Sequence, residues 1–467
     1  MLSLIETLMS NEQKIAVLKA KVIKINAVSP SFCTAKWLQT TLYLQNGYNH
    51  SCHHPSPHKI PIDEVLANPL ALHNSEYKKE QRKMMLDGTR PSECDYCWNI
   101  EDLNKDYFSD RHYKTSDYWA WDRFDSIAKS NPADNINPAY LEVSFSNACN
   151  LKCAYCSPEI SSKWLEEIEK YGPYPSGIGD LTWLKDTGRF PYKAREVNPY
   201  VNAFWTWFPD AYHDLKVFRV TGGEPLMSKD MWKLLDWIIE NPNPNLELAI
   251  NSNMCTDKGL INKFIEKINL VQGKVRRLIV FTSIESIEQQ AEYARFGMDY
   301  KQWLRNVHLL LENTQVELGI MTTMNILSVN HTTDLIDLIM KLRANFNKSN
   351  DDTRIHLSFN ILRWPQLLDV RLLPDDYKQH LSKEILDKGN WWTKFENGTT
   401  FSKIYLEELD QLKRFCDYMT SNIDVNECST HRKNFVNFVN EYDKRKGTNF
   451  LETFPHLKSF YYEWSKL

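Results

Sequence analysis

The sequence predicts an α/β fold: a partial (β/α)6 barrel with an N-terminal cysteine-rich domain and a helical C-terminal region. Three observations predict it. From Ala139 onward, short β-prone runs alternate with amphipathic helical stretches, the pattern of βα units in a parallel sheet. Before that, residues 29–110 are irregular, rich in Pro, His and turn formers, and carry four cysteines. After Pro374 only helical periodicity remains.

In chain order, residues 1–28 form an extension in which 11–26 is expected to be a short helix running into a strand. The cysteine-rich domain, 29–110, contains one polar helix over 75–87 that ends at Gly88, a natural residue just past a helix C-terminus. Residues 111–138, including the turn-rich run Ser130-Asn-Pro-Ala-Asp-Asn-Ile-Asn-Pro138, are expected to link this domain to the barrel at 139–365. Barrel strands are predicted at 140–146, 217–220, 246–250, 278–282, 316–322 and 355–361, with helices at 160–171, 229–240, 258–268, 300–312 and 333–344. No Gly-x-Gly-x-x-Gly follows the first strand, which favours an open partial barrel over a dinucleotide-binding sheet. The segment 172–198 is long for a connection and suggests a lid or substrate loop. Helices at 375–386, 403–421 and 431–446 fill the region 366–467, which ends in an aromatic, amphipathic tail.

Composition narrows the function. With 467 residues and 42% hydrophobic content the chain can bury a sizeable core, and its 15 Trp, 22 Tyr and 21 Phe suit either dense packing or a deep cavity. A net charge of −4, from 56 basic and 60 acidic residues, offers no broad cationic face for nucleic acid. No apolar run reaches the roughly eighteen residues a membrane span needs, and the N-terminus lacks the pattern of a signal peptide. Ten cysteines without a secretory signal point to metal ligation in the cytoplasm rather than to disulfides.

Seven of those cysteines fall into two groups. Cys149-Asn-Leu-Lys-Cys153-Ala-Tyr-Cys156 directly follows the first barrel strand, where barrel active sites are built. Three thiolates so close together can hold three corners of a cubic iron–sulfur cluster and leave its fourth iron open. An open metal position marks a site that does chemistry. A zinc knuckle completed by a distant ligand is the alternative on spacing alone. Further along, Thr221-Gly222-Gly223-Glu224-Pro225 follows the second strand, and paired glycines let backbone approach a ligand. Asn251-Ser-Asn253 ends the third strand, where Asn253 can accept a left-handed backbone. Ser283-Ile-Glu285-Ser ends the fourth, and Arg295 follows twelve residues after Ser283. A guanidinium suits a carboxylate because it binds both oxygens as a fork.

These motifs resemble the radical S-adenosylmethionine (radical SAM) superfamily, whose signature is Cys-x3-Cys-x2-Cys. The resemblance implies that Cys149, Cys153 and Cys156 carry a catalytic [4Fe–4S] cluster whose open iron takes the amino and carboxylate groups of SAM. It implies that Tyr155 packs near the adenine, and that Gly222, Gly223, Glu224 and Pro225 take the methionyl amino group. Asn251 lies in the segment resembling the Thr-Asn-Gly strand end of relatives, and Ser283 and Arg295 would contact ribose and carboxylate. Glu285 stands where peptide-modifying relatives often have Asp. An electron donor such as flavodoxin or ferredoxin is implied, with a peptide or protein substrate first and a small molecule or sugar second.

The second group is Cys33, Cys52, Cys94 and Cys97, with Gly47 five residues before Cys52. Four thiolates saturate a zinc ion and a [4Fe–4S] cluster equally well. His53 and His54 adjoin Cys52 and could replace a ligand. The spacing resembles the Twitch or SPASM-type auxiliary-cluster module of radical SAM enzymes, as does Met85-Leu-Asp-Gly-Thr-Arg-Pro-Ser-Glu-Cys94. In most such enzymes the module follows the barrel. Its placement here is similar to phage and bacterial Twitch-type proteins, as are His431-Arg-Lys and Phe454-Pro-His-Leu. The resemblance implies a second, fully ligated [4Fe–4S] cluster for electron transfer or support. Cys255, past the third strand, is either a hydrogen-atom donor or a packed thiol, and Cys416 and Cys428 are expected to be structural.

Overall fold

A computed structural model describes residues 11–104, 107–193, 195–349, 354–393 and 403–467. Its strands are β1 (Gln39–Tyr43), β2 (Tyr48–His50), β3 (His58–Lys59), β4 (Tyr140–Ser144), β5 (Lys152–Cys153), β6 (Val217–Thr221), β7 (Asn243–Asn251), β8 (Val275–Ser283), β9 (Arg295–Phe296), β10 (Glu317–Met324) and β11 (Ile355–Ile361). The longer helices are α1 (Asn11–Val28), α2 (Glu76–Leu86), α3 (Asp95–Leu103), α4 (Ser162–Tyr171), α5 (Pro199–Tyr212), α6 (Lys229–Glu240), α7 (Lys258–Val271), α8 (Tyr300–Asn313), α9 (Thr332–Phe346), α10 (Asp375–Thr393), α11 (Leu406–Thr420) and α12 (Val425–Lys446). No helix among the described residues is long and apolar enough to cross a membrane.

All six expected barrel strands form, and they pair in parallel in sequence order: β4, β6, β7, β8, β10, β11. Their inner residues, such as Val143, Val220, Ile250, Val280 and Ile320, are fully buried beneath the surrounding helices, as a sheet covered by crossover helices requires. At the N-terminal ends of the strands a charged ladder closes the sheet. Arg277 reaches Glu247 at 3.3 Å and Glu317 at 2.5 Å, and His356 meets Glu317 at 3.0 Å. Burial alone would raise the Glu317 carboxyl, but the hydrogen bonds from Arg277 and His356 hold it down to about 2.

Four features depart from the sequence expectations. First, α1 continues through residue 28 as one helix, and no strand follows it directly. Second, β1 pairs in parallel with β4, from Gln39 opposite Tyr140 to Tyr43 opposite Ser144, so the sheet runs on into the cysteine-rich segment as a β1–β2–β3 meander. The expected linker 111–138 is largely short helices rather than open chain. Third, α5 forms over a stretch where the sequence pattern predicts no helix. Its aromatic run and internal Pro209 disguise a helix started by Asn198, whose side chain accepts from Tyr200 N and Val201 N, with Pro199 in the first turn.

Fourth, the segment expected as a lid docks on the meander instead. Tyr192 N donates to Gln45 O at 2.7 Å, Lys59 Nζ to Gly188 O at 3.2 Å, and Tyr48 Oη to Thr187 O. Residues 187–192 therefore clasp the N-terminal strands.

The open edge of the sheet, β11, is covered by α11. Glu408 of α11 accepts from Leu357 N at 2.8 Å, and Gln411 accepts from Phe359 N at 2.8 Å. These side chains satisfy edge N–H groups that would otherwise template another strand. Helix α12 packs against the helix before β9: Tyr442 Oη donates to Tyr293 O at 2.7 Å, and Tyr293 Oη donates to Asp443 at 3.0 Å.

Candidate active site

The loop after β4 is clamped from both sides. On one side, the start of α4 holds it: Cys149 N donates to Ser162 Oγ at 3.2 Å, Ser161 Oγ to Leu151 O at 2.8 Å, and Trp164 Nε1 to Cys153 O at 2.8 Å. On the other, β5 and β9 form a two-stranded antiparallel ribbon in which Cys153 lies opposite Arg295. Ala154 N donates to Ala294 O at 2.7 Å, extending that ribbon. Cys149, Cys153 and Cys156 are all free and all line one cavity of about 370 Å3, a size suited to a small-molecule ligand.

The cavity gathers the strand ends. Tyr155, Gly222, Gly223, Pro225, Asn251, Ser283 and Arg295 line it together with the three cysteines. Gly222 has φ +121°, and a Cβ there would lie 2.6 Å from Ser144 Oγ. Gly223 is tighter still, since a Cβ would collide with the Ala148 carbonyl. The segment is held to the front of the cysteine loop by Gly223 N to Ser146 O at 3.3 Å and Glu224 N to Ala148 O at 2.7 Å. Glycine is thus required at 223 for the two loops to touch. Gly223→Ala should therefore destabilise the protein, overpacking of this kind costing about 1–3 kcal/mol, as read by the urea midpoint beside wild type.

Glu224 does not line the cavity. It is 1% exposed, and its carboxylate accepts from Leu226 N at 3.0 Å, Ser252 Oγ at 2.9 Å and Asn253 N at 2.6 Å. Burial pushes this carboxyl up to about 7 against the pull of those bonds. Its position makes it a brace that ties the glycine segment to the loop after β7, not a group reaching a ligand. In that loop Asn253 Nδ2 donates to Asn150 Oδ1 at 2.7 Å, and the left-handed residue is Met254 (φ +53°), one position later than expected. Cys255 is buried, its Sγ donating to Asn253 O at 3.1 Å, which fits a packed thiol.

Arg295 is 6% exposed and Glu285 is 1% exposed. Arg295 Nε donates to Glu285 Oε2 at 2.7 Å and Nη2 to Oε1 at 2.5 Å, a forked pair. The fork expected for a ligand's carboxylate is therefore already taken by Glu285, while Nη1 points to Cys153 Sγ at 3.7 Å. The guanidinium carbon stands 5.6 Å from the centre of the Tyr155 ring. Three thiols, a backbone edge stripped of side chains and a guanidinium beside one sulfur make a donor set that fits an anionic cluster with one iron left to a ligand.

Burial pushes the Cys149 thiol up to about 12, and it also raises Cys153 and Cys156, with neighbouring thiols adding to the effect on Cys149 and Cys156. A raised thiol pKa means a bound proton at neutral pH, and each thiolate ligand formed must release it. Binding of a thiophilic metal by these thiols should therefore tighten as pH rises and acidify an unbuffered solution. A pH-stat record of base consumed during anaerobic reconstitution checks this.

Cys33, Cys52, Cys94 and Cys97 line a second, smaller cavity with Lys36, His54, Arg111 and Lys114. Burial pushes Cys94 and Cys97 up to about 12, and the nearby thiols push the same way. Arg111 is fixed by Glu101, with Nε to Oε1 at 2.7 Å. His54 stacks on Tyr96 with ring centroids 3.6 Å apart and meets Asp110 at 2.6 Å, so it serves the wall of the site. Among the described residues no three His, Cys, Asp or Glu groups converge on a point that could hold one metal ion. The four thiols line a space instead, beside Lys36 and Arg111, which are paired with Glu93 and Glu101, and Lys114.

Sequence reading missed Ser252, Thr323 and Trp364 in the first cavity. Thr323 had a signal, since it ends a barrel strand. Trp364 lies beyond the sixth strand, and the fold brings it to the cavity wall while leaving it 55% exposed.

No protein-family model matches the chain. Over 168 residues it is 25% identical to the GTP 3′,8-cyclase of Sulfurimonas denitrificans, a match covering 36% of this chain and 40% of that protein. The chain thus spans well under half the length of this curated relative. Among solved structures, native anSMEcpe with bound AdoMet and a Cp18Cys peptide is similar at 15% identity and a TM-score of 0.31, over 55% of this chain and 60% of that one. Native anSMEcpe with bound AdoMet gives 16% identity and a TM-score of 0.34, over 55% and 61%. Overlaps that loose carry no argument about substrate or mechanism.

Proposed function

We propose that the protein is a radical SAM enzyme with an auxiliary cluster. The carrying observation is that Cys149, Cys153 and Cys156 share one cavity with Tyr155, Gly222, Gly223, Pro225, Asn251, Ser283 and Arg295, residues drawn from three strand ends, the start of β9 and the cysteine loop. Cys149, Cys153 and Cys156 would hold a [4Fe–4S] cluster, with SAM beside it. When bound, that pair supplies reductive cleavage of the sulfonium to a 5′-deoxyadenosyl radical, which abstracts hydrogen from a substrate.

The chain's own residues orient and enclose. The Gly222–Gly223 backbone presents an unhindered edge to the methionyl amino group, and Tyr155 offers a ring to the adenine. Ser283 faces the ribose and carboxylate, and Arg295 can add only the N–H groups that Glu285 leaves over. Glu224 keeps the glycine segment and the Asn251–Asn253 loop in register. Cys33, Cys52, Cys94 and Cys97 would hold a second [4Fe–4S] cluster that carries electrons or shapes the substrate side. A peptide or protein is the substrate this reading favours, with a small molecule or sugar second. The electron donor would be a flavodoxin or ferredoxin, and the setting the cytoplasm.

The test is anaerobic reconstitution followed by reduction with SAM present. Release of 5′-deoxyadenosine supports the reading; intact SAM over an iron-loaded, reduced protein rejects it.

A further inference from the structure

Arg295 lines the cavity, and Glu285 stands behind it, outside the lining. The two side chains are almost fully buried, forked together at 2.7 and 2.5 Å, and anchored a third time by Thr323 N donating to Glu285 Oε1 at 3.3 Å. The β5–β9 ribbon fixes Arg295 opposite Cys153, which leaves Nη1 3.7 Å from the Cys153 sulfur. A buried guanidinium beside a thiolate donates to the sulfur and stabilises negative charge on it. A carboxylate held against that guanidinium offsets part of the effect.

We propose that Glu285 is a positioning residue that aims Arg295 at Cys153, and that the pair sets the electron affinity of the cluster carried there. Hydrogen bonds to ligand sulfur and the net charge nearby are established determinants of cluster potential. Reduction adds a negative charge to the cluster, so the Arg295 cation favours the reduced form and the Glu285 anion disfavours it. This inference rests on the radical SAM reading of the three-cysteine loop.

The experiment is an EPR-monitored redox titration of full-length, anaerobically reconstituted protein, following the signal that changes when SAM is added. Wild type is compared with Glu285→Gln, Glu285→Asp and Arg295→Met, and iron content and melting temperature are recorded for each. Glu285→Gln should raise the midpoint potential, Arg295→Met should lower it, and Glu285→Asp should stay near wild type. A purely structural pair would cost iron or melting temperature without this ordered shift. Should Arg295→Met lose its iron, the two Glu285 variants decide. Midpoints unchanged in iron-replete Glu285→Gln and Arg295→Met overturn the proposal. A wild-type protein with no SAM-sensitive signal overturns the radical SAM reading itself, a separate and recognisable failure.

Discussion

Cys153→Ala should abolish 5′-deoxyadenosine formation while leaving the N-terminal cysteine set able to load. Cys153 is the middle cysteine of the loop, pinned opposite Arg295 and with its carbonyl held by Trp164. Cys255 is engaged nearby as a packed thiol that donates to the Asn253 carbonyl. Two thiolates cannot retain a cubic cluster, so the iron content should fall by about four per chain. Iron analysis with chromatography of the SAM products checks both parts. Uncoupled 5′-deoxyadenosine surviving the substitution would sink the assignment of this loop.

The largest effect on folding is expected at Glu408. Its carboxylate accepts from Arg343 Nη2 at 2.5 Å and Nη1 at 3.0 Å, from Leu357 N at 2.8 Å and from Tyr405 N at 3.0 Å. Arg343 is fully buried. Glu408→Ala therefore leaves the buried Arg343 charge without its carboxylate, with only the Ile355 and Lys403 carbonyls as acceptors, and unpairs Leu357 N; breaking a buried pair in this way costs about 3–5 kcal/mol. The urea midpoint should fall with little change in slope. Glu408→Gln, which keeps an acceptor for Leu357, should lose less. Equal midpoints for wild type and Glu408→Ala would mean that α11 does not seal the sheet edge.

The barrel was legible because each of its strands is a short apolar run followed by an amphipathic helix, and both periods are local. Helix α6 matches its predicted bounds for that reason, its apolar Met231, Leu234, Leu235 and Ile238 all buried. The strand β1 escaped because Gln39-Thr-Thr-Leu-Tyr43 is polar in sequence. It is buried in the fold only by pairing with β4 on one side and β2 on the other. In the site, residue types and spacing located the cysteines and glycines, whose chemistry is their own. They could not separate Glu224 as a brace from its cavity-lining neighbours. Nor could they reveal that Glu285 holds Arg295, since that pairing depends on the β5–β9 ribbon. The clasp role of residues 187–192 was hidden likewise, because their partners Gln45 and Lys59 lie more than a hundred residues upstream.

The central claim is that the three-cysteine cavity carries a cluster that cleaves SAM. One measurement on the wild-type protein tests it most directly: anaerobic reconstitution, a single dithionite reduction with SAM, then iron analysis and product chromatography. The expected result is a brown protein with about eight irons per chain, four in each cubane, and 5′-deoxyadenosine among the products. A colourless protein that carries zinc and leaves SAM intact would contradict it.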